Sequence, residues 1–123
     1  MQPEAPALLW DARKATRLIA QFVANRTWHD YENDVMLRSA VERQFQIIGE
    51  ALNRLSRLDP STAARIPDLA RIVAFRNVLV HGYAVIDNEL VWEVATTRVA
   101  DLAAQLGGLL DDDDDGDDDG DGA

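Results

Sequence analysis

Residues 41–55 read VERQFQIIGEALNRL, and Val41, Phe45, Ile48, Leu52 and Leu55 recur in steps of four, three, four and three. At 3.6 residues per turn this spacing lines one face of an α-helix with apolar side chains and leaves the charged residues on the other. Gly49 and Ala51 lie beside the stripe, where small side chains allow a second helix to approach closely. Working outward, Leu8, Ala12, Ala15, Ile19 and Phe22 repeat the pattern and predict a first helix over about 6–25. Arg26-Thr27-Trp28-His29-Asp30 breaks it, with Thr27 or Asp30 as N-cap of the long second helix, which runs to about Arg57.

Asp59-Pro60-Ser61 ends that helix, because proline disfavours helical geometry in the residue before it. A short helical turn is expected at 61–65. A third helix follows Pro67 and carries Leu69, Ile72, Val73, Val78, Leu79 and Val80, with Gly82 as its stop. Asp87 is a good N-cap for a fourth helix bearing Leu90, Val91, Val94, Val99, Leu102 and Leu106, which Gly107-Gly108 is expected to end. No strand pattern competes. Short connections favour antiparallel neighbours, so the expected fold is all-α, an up-and-down bundle of four to five helices.

The formal charge of −10 is unevenly placed. Residues 111–123, DDDDDGDDDGDGA, hold 9 of the 22 acidic groups and no base, which leaves 13 acids against 12 bases in residues 1–110. The expected organisation is one helical domain over 1–110 and a disordered Asp/Gly-rich tail over 111–123, since a block of like charges cannot pack. That tail is a solvating appendage, or its carboxylates imitate a nucleic-acid backbone and shield an arginine cleft. The absence of cysteine excludes thiolate chemistry, and two histidines exclude a multi-histidine metal centre within one chain, so neither metal nor cofactor is expected. No apolar run reaches the ~18 residues of a membrane span, and the N-terminus lacks a signal peptide's apolar stretch, which makes the cytoplasm the expected compartment.

Chemistry concentrates in the third helix. Within FRNVLVHGY (residues 75–83), Arg76, Asn77, His81 and Tyr83 interrupt an apolar segment, and burying such groups is costly unless they are paired or solvated. Asn77 and His81, four apart, share a side of the helix. Arg76 and His81 differ by roughly 140° around it, too far for easy contact unless the helix distorts near Gly82 or a second copy contributes. Residue types alone leave structural roles open: His81 as a C-terminal cap, Tyr83 as a core aromatic, Arg76 paired with Glu42, Glu50 or Glu89. His29 reads as a surface or capping residue. Glu42, Arg43 and Glu50 read as solvated or helix-pairing, and Trp10 and Trp92 as core or interface aromatics.

Arg76-Asn77-Val78-Leu79-Val80-His81-Gly82-Tyr83 matches the R-x4-H-x-Y signature of HEPN-domain proteins. With AVERQFQIIGEALNRLS (40–56), Ile66-Pro67 and VIDNELVW (85–92), residues 8–106 resemble the HepT-like branch of that superfamily. The resemblance implies a HEPN helical bundle and a metal-independent endoribonuclease that is the toxin of a toxin–antitoxin pair. It also implies a homodimer with both motifs at the interface, and a cognate minimal nucleotidyltransferase antitoxin that attaches AMP to the motif tyrosine. On this sequence Arg76 and His81 become the catalytic pair, Asn77 an assisting residue and Tyr83 the AMP acceptor. RNA is the expected substrate, with tRNA the class the family suggests. The body is nearly neutral, whereas RNA binders are usually basic, so binding falls to a local cluster of Arg71, Arg76 and Arg43. The competing class is a non-catalytic helical dimer that binds nucleotide or protein.

Overall fold

The computed structural model describes residues 1–81 and 85–121, with side chains through Asp112. The described residues are helical and contain no strand: α1 (Ala5–Val23), α2 (Trp28–Glu32), α3 (Val35–Leu58), α4 (Pro60–Ala63), α5 (Leu69–His81), α6 (Asn88–Thr97) and α7 (Val99–Asp121). The all-α bundle expected from apolar spacing is the observed fold. Helix α1 packs on both α3 and α7, and α3 carries α5 on its other side. The core lies between them, with Leu9, Ile19, Val41, Ile48, Leu52, Leu55 and Leu106 fully buried. All five residues of the 41–55 stripe are among the buried residues.

Local chemistry explains where the helices differ from expectation. The long second helix is two helices. Thr27 and Asp30 cap each other's backbone N–H groups at 3.1 and 2.9 Å and start α2. Asn33 then closes it by donating to the His29 carbonyl at 2.9 Å, and Asp34 accepts from the Leu37 N–H at 3.1 Å to start α3. Asn25, with φ 61°, turns the chain out of α1; asparagine is among the few non-glycine residues that tolerate this conformation. Asp59 ends α3 and caps α4, and its buried carboxylate accepts from Gln2 N, Ser61 Oγ, Thr62 N and Thr62 Oγ1 at 2.7–3.1 Å. Those bonds tie the N-terminus to the α3–α4 corner and hold Asp59 well below the usual carboxylate range, the Gln2 bond contributing most.

The expected fourth helix also divides, at Arg98. Thr96 and Thr97 bend their hydroxyls back to the carbonyls of Trp92 and Glu93 at 2.8 and 2.6 Å, a habit that bends helices. Gly107-Gly108 does not stop the chain's last helix. Val99, Leu102, Leu106 and Leu109 form one buried stripe, and burying Leu109 requires the helix to continue through both glycines. Asp112 pairs with Arg65 at 2.6 Å on the surface. The helical backbone of α7 continues to Asp121, through residues 111–121 of the expected tail, while the side chains of 113–121 and residues 122–123 altogether lie outside the described residues. No helix among the described residues is long and apolar enough to cross a membrane.

Candidate functional site

Helix α5 owes its place to one neighbour. It packs chiefly on α3, and of its 13 residues Leu79 alone is buried. Phe75 meets Phe45 of α3 edge to face, with centroids 5.1 Å apart, and Leu79 continues that seam. Ala70, Ala74, Asn77, Val78 and His81 are exposed and lie within about 100° of arc on the opposite side. The polar residues of FRNVLVH thus fall on two faces. Asn77 and His81 share the open one, as their four-residue spacing predicts. Arg76 turns toward α3 and is half-buried.

Arg76 is held closely. Its stem crosses α3 at Gly49, where a Cβ would overlap the Arg76 Cβ and lie 2.5 Å from its Cγ. The close approach expected of Gly49 is therefore present, and what it admits is the Arg76 stem of α5. Nη1 of Arg76 donates to Asn77 Oδ1 at 3.0 Å, while Nε is buried without a hydrogen-bond partner among the described residues. None of the described residues forms an ion pair with Arg76. The alternative pairings do not form: Glu50 is exposed, and Glu42 sits near Tyr31 and Arg38, where burial raises its pKa. Among the described residues no hydrogen bond joins Arg76 to His81, in keeping with their roughly 140° separation on a regular helix. Tyr83, and the Gly82 distortion considered above, lie outside the described residues.

A cavity of about 310 Å³ opens on the other flank of α5, between it and α6–α7. Phe45 and Ile48 form its floor, Ile72, Phe75, Val94 and Leu102 are among its walls, and Arg71 and Arg98 lie near Asp68 and Asp101 at its edge. Arg71, expected in an arginine cluster with Arg76 and Arg43, lines this cavity, whereas Arg76 and Arg43 are not among its lining residues. Arg43, the third expected member, contacts Gln46 of its own helix at 3.5 Å.

The remaining residues fall mostly where their sequence context puts them. His29 is exposed and contacts Asn33 at 3.3 Å, a local structural role. Trp92 packs on Tyr31, centroids 5.3 Å apart, and Trp28 packs on the same ring at 6.2 Å. Trp10 is 54% exposed, with the Lys14 ammonium 5.6 Å from its ring centre, so it is not a core aromatic. Two residues carry more than the sequence reading assigned them. Tyr31 is fully buried at the α2–α6 contact, and nothing in its local spacing marks it. Gly49 sets the seat of Arg76, and the only sequence signal is a glycine inside an otherwise strong helical stripe.

With this geometry established, comparison with known proteins identifies the relatives. The sequence profile described as Ribonuclease HepT-like matches residues 12–107. The chain is 28% identical over 96 residues to MJ1380 of Methanocaldococcus jannaschii, named as a candidate RNase, covering 78% of this chain and 87% of that one. It is 26% identical over 80 residues to TTE0752 of Caldanaerobacter subterraneus, also named as a candidate RNase, covering 65% and 70%. No solved structure gives a significant match. The match spans most of the chain, including α5 and its R-x4-H pair, and the protein belongs to the HepT-like ribonuclease family.

Proposed function

We propose that the protein is the toxin of a toxin–antitoxin pair, a metal-independent endoribonuclease that works as a homodimer. The observation that carries this reading is the layout of α5: Asn77 and His81 exposed on one face, and Arg76 seated against α3 with its Nη1 turned to Asn77. On a single regular helix Arg76 and His81 point roughly 140° apart, too far for easy contact with each other. A second copy, docked on the open face of α5, supplies the missing partner. That face suits such a contact, since Ala70, Ala74 and Val78 are small or apolar and Val78 is 55% exposed.

In the proposed reaction His81 takes the proton of a ribose 2′-hydroxyl. The freed oxygen attacks the adjacent phosphorus and the P–O5′ bond breaks, leaving a 2′,3′-cyclic phosphate. A protonated imidazole, His81 of either copy, returns a proton to the departing 5′-oxygen. Imidazole suits both tasks because it titrates near neutrality. The Arg76 guanidinium stabilises the phosphoryl oxygens as charge builds on them, and Asn77 orients the guanidinium through the bond already present. Tyr83, two residues beyond His81, is the proposed acceptor of AMP from a nucleotidyltransferase antitoxin. The adduct places a bulky anion at the site, where it blocks RNA and competes for Arg76.

The test is cleavage of a bulk tRNA pool in the presence of a metal chelator, with product ends analysed. The wild type should yield cyclic phosphates. His81→Ala should be slower by about 10²–10⁴-fold, the usual contribution of a general base. A His81→Ala or Arg76→Ala protein that cuts at the wild-type rate refutes the assignment. Loss of AMP transfer in Tyr83→Phe, with a cognate transferase and ATP, tests the modification separately.

A further inference from the structure

We propose that Gly49 is a positioning residue for Arg76: the missing side chain at this point of α3 sets the depth at which α5 seats and so where the guanidinium is held. The proposal rests on the ribonuclease reading for its catalytic consequence, and on geometry alone for the seating. Gly49 lies inside a 24-residue helix, where glycine is destabilising relative to alanine, and it is buried. What alanine would meet there explains the glycine. An ideal Cβ overlaps the Cβ of Arg76, lies 2.5 Å from Cγ and 3.5 Å from Cδ. Rotating the arginine side chain can move Cγ and Cδ. It cannot move Cβ, which the α5 backbone fixes, so α5 itself must be displaced.

No other helix holds α5 as α3 does, which makes the α3 surface the reference for its position. The same contact immobilises the arginine stem. Nε is buried against the seam, and the terminal Nη1 bonds to Asn77 at 3.0 Å. The guanidinium is thus held before any RNA arrives, at a depth set by a backbone-to-stem contact. Restoring ordinary van der Waals separation would move α5 by roughly 1.5 Å, and even about 1 Å of error in a catalytic group costs on the order of 10²-fold in rate.

The experiment compares full-length wild type, Gly49→Ala, Arg76→Gly and the double variant. Cleavage is read as the single-turnover rate constant on a bulk tRNA pool, well below each melting midpoint. Gly49→Ala should cleave about 100-fold more slowly, with RNA affinity within about twofold of wild type. A merely structural role would lower the fraction of active protein and leave the rate constant unchanged. Melting midpoints read the seating without any catalysis. Arg76→Gly should lower the midpoint of the wild type and raise that of Gly49→Ala, because glycine at 76 removes the clashing Cβ. If Gly49→Ala does not fold, recovery of folding in the double variant supports the seating, and failure to recover overturns it. A wild-type rate constant in Gly49→Ala, or no change of sign in the midpoints, overturns the proposal. A wild type that leaves RNA intact overturns the ribonuclease reading and the catalytic half of this one, while the midpoints still judge the seating.

Discussion

Gly108→Ala separates the sequence signal from the structure in one measurement. Gly107-Gly108 reads as a helix stop, yet α7 continues through it to bury Leu109. If α7 is helical at 108, alanine there gains the helix-interior difference between the two residues, about 0.8–1.0 kcal/mol. Among the described residues nothing opposes the gain, because a Cβ on Gly108 meets no atom within 4 Å beyond its own helix backbone. Unfolding entropy near the midpoint is roughly 2.1 cal/mol/K per residue, or about 0.23 kcal/mol/K for a body of ~110 residues. The expected rise in Tm is therefore about 4 °C, read by thermal circular dichroism and checked by the midpoint of urea unfolding. Gly107→Ala should gain a similar amount, since its Cβ would stand 3.4 Å from the Arg13 guanidinium, van der Waals contact with the flexible end of a side chain. Gly49→Ala is the same chemical change with the opposite expected sign. A Gly108→Ala protein with unchanged or lowered Tm would mean that the helix ends where the glycines say, and that Leu109 is not held in the core.

Two further outcomes test the core. Tyr31→Phe should stabilise the protein by about 1 kcal/mol, because the hydroxyl is buried without a partner among the described residues and phenylalanine keeps the ring between Trp28 and Trp92. Burial, with Glu42 nearby, pushes the Tyr31 pKa up; the stability linked to it is fully present below the ordinary tyrosine value of about 10 and falls away at higher pH, a loss Tyr31→Phe should abolish in alkaline melts. Asp59→Asn should lower Tm at neutral pH, and the gap to wild type should close as pH falls below about 4. A carboxylate whose folded pKa is depressed contributes above its unfolded value and loses that contribution as it is protonated in the fold. A gap that persists unchanged at low pH would show that the Asp59 charge is not what these bonds stabilise.

The sequence by itself determined the helical class, the buried stripe of α3 and the placement of Arg76, Asn77 and His81 on one helix. Each of these follows from spacing at 3.6 residues per turn, which is a local property. The family resemblance was legible for the same reason, since the motif lies within eight consecutive residues. Cap chemistry was half legible: Thr27 and Asp87 were recognisable caps, but the Asn33-Asp34 break was hidden inside a region that reads as one helix. Only the tertiary structure decided that Gly107-Gly108 does not end α7, because burial of Leu109 outweighs a local stop signal. Likewise, only it decided which face of α5 is covered: α3 lies against the flank that carries Arg76 and leaves the side with Asn77 and His81 open. Gly49 shows the division most plainly. In the sequence it is a weak point in a strong helix; in the fold it is the gap that seats an arginine 27 positions away along the chain, and no local rule relates the two.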